Sequence, residues 1–319
     1  MGAGRFTEPF CHETLHKLAL RPFNQLFRKR SSPELLIGRA KSHPGLPLGG
    51  LVFHMSRCGS TLVSQYLSAL RDSVVLSEPE PVGSALQCSP PGNEALLRGM
   101  ISALGQARRS CDRTLYLKAE CEHVLDIDRY LAAFPGTPWV FVYRNPLEVL
   151  VSHERNPGWF RAMNSMSFRG LQPPAECYSD LSGGCAWILS LVLRHAVAAM
   201  RSHENGLLVN YSELPCALRA VARHFGVACT DAEAAMEIAR TDAKRGGAFV
   251  PDSDEKRSAA DPGILEVAEC RLDEPYRQLE ELRLAMQLQK PYQPKWPLSV
   301  NTIGHPAKHD EDSVGDTSN

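Results

Sequence analysis

Short, mostly apolar runs alternate with amphipathic stretches through the first two-thirds of this chain. LVFHM (51–55), SVVLS (73–77), TLYLK (114–118), PWVFVY (138–143) and GLLVNY (206–211) read as strands. PWVFVY is apolar almost throughout, as suits a strand covered on both faces. Between them, STLVSQYLSAL places Leu62, Val63, Tyr66, Leu67 and Leu70 at helical spacing. NEALLRGMISALGQARR and HVLDIDRYLAAF read as helices too, and NPLEVLVSHE opens one with Pro146 in its first turn. Alternation of this kind predicts an α/β domain, a central parallel sheet with helices on both sides.

Beyond the fourth strand, SGGCAWILSLVLRHAVAAMRS reads as a long buried helix, PCALRAVARHF and DAEAAMEIAR as shorter ones, and RLDEPYRQLEELRLAMQLQ as a closing helix. EPEPVG (78–83) reads as a Pro-rich turn, and AKRGGAFVPDSDEKRSAADPG (243–263) as irregular and polar. The expected organisation is an N-terminal extension over 1–48, one domain over 49–290, and a tail over 291–319 whose end has a disordered composition.

Composition narrows the function classes. A net charge of −1 gives no broad basic surface, so nucleic acid is not an expected partner and any anion must meet a local basic site. The ten cysteines are scattered without a C-x-x-C pair, which speaks against a zinc ribbon or a disulfide framework and for reduced thiols. The first thirty residues contain no apolar signal region, and the apolar run CAWILSLVLRHAVAAM reads as too short to span a bilayer. A cytoplasmic protein without a membrane partner is expected.

Two strand–loop–helix junctions carry candidate chemistry. After the first strand, SRCGSTL offers Arg57, Gly59, Ser60 and Thr61 at a helix N-terminus, where unpaired N–H groups and a partial positive charge favour an anion. The loop lacks the G-x-x-x-x-G-K-[ST] of nucleoside triphosphatases, which weakens a Mg-dependent reading. Taken alone it suits a simple helix cap equally well. After the fourth strand, Arg144 stands at the strand end, with Ser152 two turns along the next helix. Two anion sites on strand ends suit one ligand with two separated phosphate groups.

SRCGSTL resembles the 5′-phosphosulfate loop of sulfotransferases, and YRNPLEVLVS resembles their 3′-phosphate motif, an Arg followed by a Ser eight residues later. The resemblance is strongest over 51–151 and reaches weakly to about 257. It implies a P-loop-like sulfotransferase fold and the donor 3′-phosphoadenosine 5′-phosphosulfate (PAPS), with no metal required. Spacing is closest to the protein-tyrosine sulfotransferase branch. Glu78 stands twenty residues after Cys58, which replaces the family's loop serine, and Lys118 precedes Arg144 by 26. By resemblance, Glu78 is the general base, Lys118 and Arg57 stabilise charge on the transferred group and the leaving phosphate, and Cys58, Gly59, Ser60, Thr61, Arg144 and Ser152 hold the donor. Glu80 and Glu120 are the rival bases; Glu120, in KAE, stands where cytosolic sulfotransferases have their catalytic His in K-T-H. Arg245 and Lys256 belong to a late basic segment that in the family closes over the nucleotide. Tyr211 reads as structural.

The acceptor is expected to carry a hydroxyl, on a small molecule or on tyrosine in a peptide. The segment from Asn156 to Cys177, with Trp159, Phe160, Met163 and Phe168, is expected on the acceptor side. His123 and His153 lack companions at metal-ligand spacing, so no metal site is expected. The competing readings are a P-loop nucleotide kinase and a nucleotide-binding module without turnover.

Overall fold

A computed structural model describes residues 6, 10–156, 171, 174, 181–228, 231–233, 235–236 and 251–289. Arg245, the acceptor-side residues Trp159, Phe160, Met163 and Phe168, and the segment 291–319 lie outside the described residues.

Five strands form one parallel sheet: β1 (Leu48–His54), β2 (Ser73–Ser77), β3 (Thr114–Lys118), β4 (Trp139–Tyr143) and β5 (Gly206–Asn210), in the spatial order β2-β3-β1-β4-β5. Every residue of β2 and β4 is buried, so helices cover both faces. Core residues from all five strands, among them Phe53, Leu117, Phe141 and Val209, join one apolar cluster. The fold is therefore α/β, as the alternation predicts.

Before the sheet come α1 (Cys11–Ala19), α2 (Pro22–Leu26) and α3 (Pro33–Ser42). α4 (Ser60–Ala69) follows β1; α5 (Glu80–Cys88) and α6 (Ala95–Leu104) follow β2, and α3 packs against α6. α7 (Ile127–Ala133), preceded by a 3₁₀ turn over Cys121–Asp126, leads to β4, and α8 (Pro146–Arg155) leaves it. The remaining helices are α9 (Leu181–Ser202), α10 (Leu218–His224), α11 (Ser253–Ser258) and α12 (Pro262–Gln289).

Four expectations change. The Pro-rich stretch after β2 is not only a turn: α5 begins at Glu80, and Pro81 is tolerated in its first turn, where no intrahelical N–H is needed. DSDEKRS is not irregular but contains α11. The closing helix starts nine residues earlier than Arg271, at Pro262, because the Asp261 carboxylate accepts the Ile264 N–H as a cap. Finally, α9 is long and apolar enough to cross a membrane by length and composition. Packing against α8 and α12 instead buries most of it within the fold.

Strand order creates the functional edge. From β1 the chain runs to β2 on one side; from β4 it runs to β5 on the other. β1 and β4 are neighbours, with His54 opposite Val142, so a crevice opens at their carboxyl ends. Ligands of open parallel sheets bind at such switch points.

Candidate active site

The loop after β1 is held in an unusual backbone path. Ser56 (φ 71°), Arg57 (φ 48°) and Gly59 (φ 83°) all adopt left-handed conformations, costly for the first two. Packing at Gly59 leaves no room for a side chain: a Cβ there would meet Leu214 at 2.8 Å and Tyr211 at 2.9 Å. As N-cap of α4, Gly59 also supplies no side-chain acceptor, so the first N–H groups of the helix receive no cap from it. Three contacts tie the loop to β4 and α8. Met55 N–H donates to Val142 O (3.1 Å), the Cys58 thiol to the same carbonyl (3.1 Å), and Arg57 Nη2 to Asn156 O at the end of α8 (2.8 Å).

Cys58 is therefore buried with its sulfur turned into the core, and burial pushes its thiol pKa up. As a donor-site residue it has only its backbone to offer. Ser60 is buried and Thr61 half-buried in the first turn of α4.

Lys118 ends β3 opposite Ser77 of β2, and the Glu78 N–H donates to the Lys118 carbonyl (2.8 Å), which sets the two side chains together. Lys118 is fully buried. Its Nζ lies 2.6 Å from Glu78 Oε1, and His54 Nε2 approaches the same oxygen at 3.3 Å. Ser56 N–H donates to His54 Nδ1 (3.1 Å), so the imidazole proton sits on Nε2, shared between Glu78 and Ala119 O (3.1 Å). Burial keeps His54 neutral, its pKa lowered. For Glu78, burial opposes ionisation, but Lys118 and then His54 outweigh it and hold the carboxyl far below the usual range. Glu78 also has a left-handed backbone (φ 50°), a third strained position at this edge after Ser56 and Arg57.

Glu120 is a contrasting carboxyl two residues past Lys118. Burial, then the like charges of Glu122, Glu78 and Glu80, push its pKa up to about 8. The expectation that His123 has no companions does not hold: Glu120, Glu122 and His123 place ligand-type atoms within 4.8 Å of one another. Here the imidazole is engaged by protein on both sides, with Nε2 3.4 Å from Glu120 Oε2 and Nδ1 2.9 Å from the Tyr130 hydroxyl. A 3₁₀ turn brings this cluster together, a spacing that a search for metal-ligand signatures overlooks.

Across the crevice, Arg144 follows β4. Its backbone N–H meets the Met55 sulfur at 3.2 Å, and its guanidinium stacks on the Tyr211 ring, 3.7 Å from the centroid. Tyr211 is thus part of the site's wall, packed also against the Gly59 position, and more than the structural residue expected from sequence. Arg144 Nε pairs with the buried Glu148 (2.6 Å), and Nη2 with Asp252 Oδ1 (2.6 Å). Lys256, buried on α11, reaches Asp252 Oδ2 at 3.0 Å, and Arg257 reaches Glu148 at 2.8 Å. Burial works against the Arg144 charge, but the hydrogen bonds its guanidinium donates to Asp252 and Glu148 outweigh burial, and the group is held more firmly protonated than usual. Burial likewise opposes ionisation of Asp252, yet Arg144 and Lys256 bring its carboxyl down to about 2. An oxyanion of the chain's own thus bridges Arg144 and Lys256. The spot has the charge and the donors for one.

Ser152 is half-buried on α8, eight residues beyond Arg144. Next to it, buried His153 has its pKa lowered to about 3, first by burial and then by Arg57 and Lys256. Arg57, bonded to Asn156 O at the end of α8, and Lys256, on α11 packed against α8, flank this part of the site. The site residues in the described regions therefore converge on one sheet edge, in two groups: Arg57, Glu78 and Lys118 near β1–β3, and Arg144, Ser152 and Lys256 near β4. Sequence reasoning passed over His54, Glu148, Asp252 and Arg257. An imidazole ending the first strand was a usable signal for His54; the others left none, since each acts through a tertiary contact.

No family model matches the chain, and no curated protein matches it. Several solved structures are similar to it. A sulfotransferase from Alicyclobacillus acidocaldarius is 15% identical, with 74% of this chain and 96% of that one covered at a TM-score of 0.43. The sulfotransferase domain from the curacin biosynthetic pathway is 14% identical over 75% and 98%, with a TM-score of 0.45. Retinol dehydratase, solved with androsterone and the inactive cofactor PAP, is 16% identical over 83% and 87%, with a TM-score of 0.32. Likeness of this order speaks to neither donor nor acceptor.

Proposed function

We propose that this chain is a sulfotransferase that moves the sulfuryl group of PAPS to a hydroxyl acceptor. The observation that carries the reading is that two clusters of cations and N–H donors stand at the ends of the neighbouring strands β1 and β4, where separated phosphate groups could be held. The uncapped N-terminus of α4 with Arg57 faces the end of β1, and Arg144 with Lys256 stands at the end of β4, bridged by a carboxylate. A nucleotide with separated 5′ and 3′ phosphate groups uses both sites. A nucleoside triphosphate leaves the second without a phosphate.

In this reading Arg144 and Lys256 bind the 3′-phosphate, displacing Asp252, with Ser152 beside them. Arg57 and the first N–H groups of α4 take the 5′-phosphate, which leaves with the bridging oxygen. Lys118 donates to the transferring group, where charge develops. The acceptor oxygen bonds to sulfur as the bond from sulfur to the bridging oxygen breaks, and the acceptor proton passes to a carboxylate. Glu78 is that carboxylate. While Lys118 holds it, it is ionised but weakly basic; when Lys118 turns to the donor, Glu78 loses its counter-charge and becomes a stronger base. His54 keeps it oriented.

A second reading exchanges the base. Glu120 has the raised pKa that suits proton transfer near neutral pH, and two neighbouring carboxyls with pKa values pushed apart are a recurrent acid–base arrangement.

The test is transfer of labelled sulfate from PAPS to a panel of phenols, alcohols and tyrosine peptides, beside calorimetric binding of adenosine 3′,5′-bisphosphate. Product formation in EDTA, with no phosphate transfer from ATP and Mg²⁺, supports the reading. Phosphate transfer from ATP that needs Mg²⁺ replaces it with a kinase. Tight nucleotide binding without turnover on any acceptor, with Glu78 and Glu120 variants behaving as the parent, replaces it with a binding module.

A further inference from the structure

The helices before the sheet expose a set of large apolar side chains beside exposed cations of the same segment. Leu20, after α1, is 58% exposed, and Phe23 (69%), Leu26 (81%) and Phe27 (61%) lie in α2 or at its end. Large apolar side chains exposed singly are ordinary; four within eight residues make a patch that calls for a partner. The patch is ordered. The Asn24 side chain donates to Leu18 O (2.7 Å), joining α2 to the end of α1, and the Phe23 and Phe27 rings meet at a tilt of 38° with centroids 4.6 Å apart.

Charge selects the partner. Between Glu13 and Glu34 the chain has no acidic residue, yet it carries exposed Arg21, Arg28, Lys29 and Arg30. In a chain of net charge −1 this is a strong local excess. We propose that the α1–α2 tip is a peripheral docking surface for an anionic lipid bilayer, with Phe23, Leu26 and Phe27 entering the acyl boundary and the cations meeting the headgroups. Aromatic and leucine side chains beside arginine and lysine are the composition of interfacial anchors. Exposures this high describe a protrusion rather than a groove, and a fluid surface receives a protrusion without a preformed pocket. The expectation of no membrane partner rested on spanning segments, and this contact spans nothing.

The location adds consequence. Phe10, just ahead of α1, lies with its ring 5.5 Å from Lys118 Nζ. α1 is nine residues long, so the tip stands about 14 Å further along the helix from that point. Docking would hold this edge of the domain near the bilayer surface whatever reaction the domain performs.

The experiment is sedimentation of the full chain with vesicles of phosphatidylcholine alone and of phosphatidylcholine containing roughly one-third phosphatidylserine, at low and high salt. Binding to the anionic vesicles, weakened by salt, is expected. Arg28→Gln/Lys29→Gln/Arg30→Gln should lower partitioning about fivefold per cation, which is about 1 kcal/mol each. Phe23→Ser/Leu26→Ser/Phe27→Ser should abolish it. Melting temperatures of both variants are measured alongside, and exposed positions should leave them near the parent value. Absence of binding, equal binding to both vesicle types, or binding that survives both variants overturns the proposal. So does parent self-association, seen by light scattering and removed by the Ser variant, without vesicle binding; the tip then meets a second copy of the chain.

Discussion

Lys118 Nζ lies 2.6 Å from Glu78 Oε1, so the buried cation at the end of β3 and the carboxylate just past β2 hold each other at the mouth of the crevice. Under the proposed mechanism, their pairing makes the base and the charge stabiliser interdependent.

That coupling gives a pH signature. If Glu78 takes the acceptor proton, kcat/KM for the donor, which reports the free chain with Lys118 still paired to Glu78, should be nearly flat from pH 6 to pH 9, because the carboxyl stays ionised throughout. Glu78→Gln should then slow transfer by about 10²–10⁴-fold with nucleotide affinity little changed. If Glu120 takes the proton, kcat/KM should climb as pH rises through about 8, and Glu120→Gln should erase the climb. Steady-state pH profiles of the parent and both variants separate the two.

Stability should respond in opposite senses to these carboxyls. The folded pKa of Glu78 is depressed, so its contribution is full above the ordinary carboxylate value, about 4.3, and is lost as pH falls through the folded value. Glu120 is raised: between about 4.3 and about 8 the folded state binds more protons than the unfolded, and stability falls as pH rises across that window. Glu120→Gln should therefore melt higher than the parent at pH 9, with a smaller difference at pH 4. An equal shift at both pH values would remove the burial and like-charge account.

Asp252 bridges Arg144 and Lys256 where the proposal puts a phosphate. Asp252→Asn should tighten adenosine 3′,5′-bisphosphate by about tenfold, since the nucleotide no longer displaces a charge-assisted pair. Calorimetry beside adenosine 5′-monophosphate is the control. Tightening confined to the 3′-phosphorylated ligand is expected; equal change for both would move the 3′-phosphate elsewhere.

Arg144→Ala should cost stability as well as binding. Glu148 is buried, and although Arg257 and Ser253 remain near it, losing the buried guanidinium should destabilise by about 3 kcal/mol. Arg144→Ala/Glu148→Gln should recover much of that in urea unfolding while still failing to prefer the 3′-phosphorylated nucleotide. This pair separates a folding defect from a lost phosphate contact.

Gly59→Ala meets both a left-handed backbone and side chains of Tyr211 and Leu214 closer than 3.0 Å. A loss of about 1–3 kcal/mol is expected from the backbone alone, with nucleotide binding weakened as the loop shifts. A neutral effect on both would show that Tyr211 and Leu214 yield freely.

Much of the fold was legible because parallel α/β units leave a local trace. PWVFVY announces a strand covered on both faces, and Leu62, Val63, Tyr66 and Leu67 mark the buried side of α4. The helix begun at Pro262 was missed in its first nine residues because its start depends on one Asp261 cap just past a Pro/Gly-containing polar stretch. The candidate site was legible where it coincides with strand–loop–helix junctions: Arg57 to Thr61, Lys118, Arg144 and Ser152 stand at such edges.

By itself, the sequence determined the elements and the chemistry at their ends, since apolar periodicity and the residues just past a strand are local properties. Tertiary structure alone decided what those ends face. The order β2-β3-β1-β4-β5 puts β3 and β4 on either side of β1, and so sets Lys118 and Arg144 at one edge. It also brought Asp252 to Arg144 across 108 residues of chain, His54 to Glu78, and the Cys58 sulfur into the core instead of the loop. Such contacts arise from packing between segments far apart in the chain, where charge pairing and burial are satisfied by geometry and leave no period or spacing to read.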